Sequence, residues 1–263
     1  MRAPAPLPRW VQGLAWAALL LVMLPVVGLL ARIPWPRLVE LVTAPTAVQA
    51  LRLSLLTCTA SLAVVVVLGL PLALVMARSR GPLAGLARLF AVLPMVLPPV
   101  VAGLALLVTL GRRGLVGQHL SVLGLEVGFT TLAVVIGQSF VAMPYFVVAL
   151  EGALRTLDPE LERVAATLGA SPGHTLRRVT LPVLAPALVG GAAMAMARAL
   201  GEFGATLTFA GSLPGVTQTL PQAIYLTRES DPDGALALSF VLLVLAAALM
   251  GLSGWVMRRP SDG

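Results

Sequence analysis

The stretch EGALRTLDPELERVAATLGASPGHTLRRVTLP, residues 151–182, separates two long uncharged runs and decides how the rest of the chain is read. Asp158 is a good helix N-cap and Pro159 suits the first helical position, while Glu160 and Glu162 sit where the helix dipole favours acids. Leu161, Val164, Ala165 and Leu168 then fall on one face at helical spacing. Gly169 ends that helix, and Ser171 with Pro172 starts a second one by the same logic. The stretch therefore predicts a short helix–turn–helix that presents an apolar face flanked by charge. On periodicity alone, that face can lie on a membrane or receive a partner.

The runs on either side are too apolar for a soluble domain. The chain has 263 residues, of which 58% are hydrophobic and 11% charged, and its mean hydropathy is +0.96. A water-exposed globule of ordinary composition carries about a quarter charged residues. A bilayer core about 30 Å thick needs about 20 apolar helical residues to cross it. Six uncharged runs meet or approach that length: 10–31, 53–77, 89–110, 127–150, 179–197 and 235–257. The fifth begins around Pro182 and is expected to continue past Arg198. The first resembles a signal peptide, but it is longer than a signal core and no clear small-x-small site follows it, so a retained helix is expected. The expectation is an all-α integral membrane protein with six transmembrane helices. Its helix–turn–helix joins the fourth span to the fifth.

All 18 basic residues are arginine. Placing the N-terminus inside puts eleven of them (2, 9, 78, 80, 88, 155, 163, 177, 178, 258 and 259) on the cytoplasmic side and six (32, 37, 52, 112, 113 and 228) outside. The bias favours cytoplasmic termini, and with them a cytoplasmic helix–turn–helix. The arginines cluster at the ends of apolar runs and are not interleaved with polar residues, which argues against nucleic acid as a partner. Prolines at 25, 71, 94, 98, 99, 144, 182 and 186 interrupt the runs. Broken backbone survives in a membrane only where protein or a water-filled path satisfies it, so this density favours a pathway over an inert anchor. Cys58 is the one cysteine and can form no intrachain disulfide. His119 and His174 have no neighbours at ligand spacing, so no metal site is expected.

The spacing within the 151–182 stretch resembles the loop shared by permease subunits of bacterial ABC importers. In that family an acidic-alanine segment leads to a glycine, nine residues, a branched aliphatic, one residue and Leu-Pro. Here Glu162, Ala165 and Ala166 lead through Leu168 to Gly169, followed by Ala170, Ser171, Pro172 and on to Val179, Leu181 and Pro182. Glu162 precedes the glycine by seven positions instead of six, a variant familiar among oxyanion permeases. The resemblance implies a chain of the bacterial inner membrane whose cytoplasmic loop docks on a separate ATPase subunit. ATP and magnesium would then be bound by that partner, with no cofactor held by this chain and no enzymatic activity of its own. Independently, a phosphate-binding loop of the form G-x-x-x-x-G-K-[ST] is impossible without lysine.

The segment ARALGEFGATLTFAGSLPGVTQTLPQAIY, residues 197–225, resembles molybdate importer permeases in its GEFGAT core and its TLPQAIY continuation. The family likeness extends over nearly all of 49–254, leaving 1–48 as a first helix with its external loop and 255–263 as a short tail. It implies molybdate as cargo, with tungstate as a co-substrate and a sulfate or thiosulfate permease as the rival; a non-transporting membrane scaffold is the remaining alternative, against which the proline-broken spans argue. It also implies an external molybdate-binding protein and two ATPase subunits. Six helices leave little room for a hydrated path, so a homodimer with the path at its two-fold interface is expected. Candidate path residues are Arg198, Glu202, Gly204, Thr206 and Thr208. Arg198 lies within a span, and Glu202 is one helical turn away, so the pair is either a latch at a helix break or leaves Arg198 to meet the anion. Threonines in such helices commonly bond their own backbone.

Overall fold

The computed structural model describes residues 8–79 and 81–258, with the backbone alone for 256–258. Arg2, Arg80 and Arg259, which entered the orientation argument, lie outside the described residues, as does the end of the 255–263 tail. In chain order the helices are α1 (Arg9–Arg32), α2 (Leu38–Thr43), α3 (Pro45–Arg78), α4 (Pro82–Val96), α5 (Pro99–Leu110), α6 (Gly117–Val122) and α7 (Thr131–Thr156). They continue as α8 (Pro159–Thr167), α9 (Pro172–Thr175), α10 (Leu181–Val183), α11 (Ala185–Leu200), α12 (Gly204–Ala210), α13 (Leu220–Thr227) and α14 (Pro232–Arg258). A short 3-10 turn precedes α2, and a π turn, Leu176–Thr180, joins α9 to α10. Among the described residues there is no strand.

Four helices, α1, α3, α7 and α14, are long and apolar enough to cross a membrane; the number rises to six if two bent pairs each count as one span. The bends are where the sequence-based spans differ most from the structure. The run 89–110 is not one rod: α4 and α5 meet at 117°. Leu97 and Pro98 both adopt extended backbone, with ψ of 134° and 135°. A residue before proline is pushed out of the helical region, and two consecutive prolines repeat the effect before Pro99 opens α5. By contrast Pro25, Pro71 and Pro144 sit inside continuous helices.

The second bend, 71°, separates the α9–α10 segment from α11. Here the expected second helix of the loop is only one α turn, which then widens into the π turn. The cause is Pro182, which has no N–H for the carbonyl of Arg178. Leu181 N–H reaches back five residues to the Leu176 carbonyl, and the helix absorbs the missing donor as a π segment. α11 runs on past Arg198 to Leu200, as the sequence implied.

The core forms where α7 packs between α3 and α11. Val65, Ala73 and Met76 of α3 meet Phe146, Val147 and Leu150 of α7 and Ala195 and Ala199 of α11. Two glycines permit this approach. A Cβ at Gly69 would lie 2.9 Å from the Phe146 ring, and one at Gly191 would lie 3.3 Å from its other edge. The close approach of small residues joins helices already surrounded by apolar solvent, and a buried Ser139–Ser61 hydrogen bond of 3.0 Å also ties α7 to α3. α1 has no buried residue.

Candidate functional site

The first candidate region is the α8–α9 loop. Asp158 caps α8 by accepting from the Glu160 N–H at 2.9 Å, and Ser171 accepts from the His174 N–H at 3.4 Å. Between them the chain reverses at Gly169, whose φ is +83°. There the N–H groups of Gly169 and Ala170 donate to the carbonyls of Ala166 and Ala165, each at 3.0 Å. Such a left-handed cap favours glycine because a Cβ would press on the following carbonyl. The expected apolar stripe faces outward: Leu161, Val164 and Leu168 are exposed, the last at 82%. Beside it Ala165, Leu168, Gly169, Ala170, Ser171, His174 and Val179 line an open depression of about 570 Å³. Leu181 is half-buried and Pro182 exposed at the entry to α10.

Glu162 points the other way. Its Oε1 accepts from the Arg78 guanidinium at the end of α3 and from the Thr180 hydroxyl in the π turn, both at 2.6 Å. A second carboxylate sits deeper. Glu151, near the end of α7, is almost fully buried and pairs with Arg88 of α4 and, at 3.0 Å, with Arg155 of its own helix. Arg88 also donates to the Met76 carbonyl of α3 at 3.4 Å. Sequence reasoning placed Glu151 in the loop but gave it no role. Its spacing from Arg155 was a local signal, whereas Arg88 lies 63 positions away.

The second region is the break between α11 and α12. Arg198 and Glu202 pair at 2.7 Å, with Glu202 almost fully buried. The other Glu202 oxygen accepts from the Ala205 N–H at 2.7 Å and so caps α12. The remaining candidates are occupied inside the chain. Thr208 donates to its own helix at the Gly204 carbonyl, 2.9 Å away. Thr206 donates to the Phe203 carbonyl and accepts from the buried Gln222 amide at 3.2 Å. Gly204 packs on Pro99, since a Cβ there would fall 2.7 Å from the proline ring. One turn on, a Cβ at Gly103 would lie 2.6 Å from the Ala205 carbonyl oxygen. The structure thus brings Arg198 and Glu202 together and sets Gly204, Thr206 and Thr208 against α5 and α13. Sequence reasoning missed Gly103 and Gln222 as the residues that receive them.

On the loop before α2, Arg37 bridges Glu40 and Asp233, each at 3.4 Å, and so fastens that segment to the start of α14. The hydrogen bond and charge of Glu40 hold the Arg37 guanidinium above its usual range. Among the described residues, no group of three or more His, Cys, Asp or Glu side chains is placed to hold a metal ion.

Comparison with known proteins gives this geometry its family. Residues 69–262 match the family described as binding-protein-dependent transport system inner membrane component. The chain is 53% identical over 250 residues, 95% of each chain, to the molybdenum transport system permease protein ModB of Mycobacterium tuberculosis. It is 39% identical over 169 residues to the protein of the same name from Escherichia coli, covering 63% of this chain and 74% of that one. It is also 34% identical over 251 residues to a probable sulfate transport system permease protein of Nephroselmis olivacea, covering 92% of this chain and 88% of that one. In overall fold it resembles a chain of a bacterial alginate ABC transporter, with a TM-score of 0.74, 18% identity and 96% coverage of both chains. The chain belongs to the binding-protein-dependent transport system inner membrane component family.

Proposed function

We propose that this chain is the channel-forming permease subunit of an ATP-driven importer that carries molybdate, and tungstate with it, across a bacterial inner membrane. The observation that carries the substrate is the 53% identity over 95% of the chain to permeases named for molybdenum transport. The probable sulfate permease stands at 34%.

In this reading each bent pair is one span, making six, and both termini face the cytoplasm. The permease domain occupies 49–254. The α8–α9 loop is the cytoplasmic docking element, and its exposed Leu161, Val164 and Leu168 stripe is the surface that a separate ATPase subunit covers. Two copies of this chain form the path at their interface and take two ATPase subunits, which bind the ATP and magnesium. An external binding protein delivers the oxyanion. Backbone amides and hydroxyls suit a dianion better than carboxylates do; Glu202 is already neutralised by Arg198 and by the α12 cap.

Expression of the chain, with its ATPase and binding protein, in cells lacking molybdate uptake is the test. Restored molybdoenzyme activity on trace molybdate supports the reading. Relief of a sulfate-uptake defect without restored molybdoenzyme activity would redirect it to sulfate.

A further inference from the structure

The docking reading treats Glu162 as part of the surface offered to the ATPase, but its carboxylate turns inward. One oxygen, Oε1, holds both Arg78 at the end of α3 and Thr180 in the π turn, at 2.6 Å each. Thr180 is fully buried. Thr57, Thr109 and Thr208 spend their hydroxyls on carbonyls of their own helices, whereas Thr180 donates across to α8. Leaving that hydroxyl without its acceptor would strand a buried donor.

Little else fastens α8 to α3 at this point. The backbone of α8 packs on α9 and the π turn. Between α8, the end of α3 and the end of α7 lies a cavity of about 150 Å³, bordered by Ala77, Arg78, Leu154, Leu157, Pro159 and Glu162. The side chains bridge a gap that apolar packing does not fill. Arg88, bound to Glu151, also donates to the Met76 carbonyl. The end of α3 is therefore held at two points, at Arg78 by Glu162 of α8 and at Met76 by Arg88 of α4, itself paired with Glu151 of α7.

We infer that Glu162 is a positioning residue that passes displacement of the docking loop to α3 through Arg78 and, through Thr180, to the π turn that leads by way of α10 into α11, and that it is not a contact for the ATPase. This rests on the docking role proposed above for the loop. A charge-assisted bond to a guanidinium and a hydrogen bond from a buried hydroxyl share one oxygen, so a shift of α8 draws on the end of α3 and on the π turn together. The exposed Leu161, Val164 and Leu168 stripe is left to make the contact with the partner.

The test uses the complete reconstituted complex, with the binding protein, and compares Glu162→Arg, Arg78→Glu and the double exchange. Each single change should lower molybdate uptake per ATP hydrolysed by about tenfold, within the usual range of coupling between sites, while the ATPase subunit copurifies as with the unaltered chain. The double exchange should recover most of that loss. Loss of ATPase copurification in Glu162→Arg alone would overturn the inference by making Glu162 a partner contact. So would singles that transport normally, or an exchange no better than either single. Should the charge variants fail to accumulate, Thr180→Val serves instead: it should uncouple uptake with the ATPase still bound, and normal uptake would overturn the inference. Failure of the unaltered chain to copurify with the ATPase would sink the docking reading itself, a result separate from any of these.

Discussion

Arg198 and Glu202 face one another across a single helical turn, 2.7 Å apart, at the point where α11 gives way to α12. Glu202 is almost fully buried and a quarter of the Arg198 side chain remains exposed. Removing one member of a fully buried pair costs about 3–5 kcal/mol, and the partial exposure of Arg198 puts this pair at the low end. Arg198→Ala should lower the melting temperature in detergent. Adding Glu202→Gln should recover much of it, because glutamine removes the unpaired charge and still offers an oxygen to the Ala205 N–H. If the double variant is stable but transports no better than Arg198→Ala, the arginine contacts the anion directly and the latch is the wrong account.

Gly169 carries a different kind of constraint. Its φ is +83°, yet a Cβ built there meets nothing within 4 Å. The cost of a side chain is therefore backbone strain, about 1–2 kcal/mol for an ordinary residue and more for a β-branched one. Gly169→Val should insert normally in the membrane but lose ATP-driven uptake, while Gly169→Asn, which tolerates this conformation, should keep most of it. Full uptake by the valine variant would count against the docking role of the loop.

At Gly103 the constraint is contact. Its Cβ position lies 2.6 Å from the Ala205 carbonyl oxygen and 2.7 Å from Thr208 Cβ, and neither atom belongs to a flexible side-chain end. Gly103→Ala should lower stability by about 1–3 kcal/mol, the usual cost of overpacking. Gly13→Ala, in open space on α1, should leave the melting temperature unchanged. Equal effects at the two sites would show that α5 and α12 do not approach as described.

Orientation can be read by labelling. Cys58 is fully buried, so the unaltered chain should give little background with a membrane-impermeant maleimide. A cysteine replacing Leu168, 82% exposed, should react only from the cytoplasmic face, and one replacing Val122, 85% exposed, only from outside. The reverse pattern would invert the proposed topology.

What the sequence made legible was local. The Asp158 and Ser171 caps and the Gly169 reversal each depend on neighbours within a few positions, and all stand where the pattern implied. The Arg198–Glu202 pair was legible for the same reason, as an i,i+4 spacing. Proline density announced broken helices, but not which would break. Pro71 and Pro144 lie within the continuous helices α3 and α7, while the Pro98–Pro99 pair turns the chain by 117°. The partners of Glu162 and Glu151 were hidden because Arg78 and Arg88 lie 84 and 63 positions away. A charge at the end of an apolar run reads as an orientation signal until the fold shows what it touches. The threonines illustrate the converse: Thr206 and Thr208 were candidates for a path, and the structure spends their hydroxyls on backbone.

The central claim is that the chain forms the path of an importer for molybdate, driven by a partner ATPase. ATP-driven uptake into proteoliposomes tests it most directly, with the permease, its ATPase and the binding protein reconstituted together and labelled molybdate supplied outside. The account predicts uptake that requires both ATP and the binding protein and that persists in a large excess of sulfate. Uptake of sulfate without uptake of molybdate would contradict it.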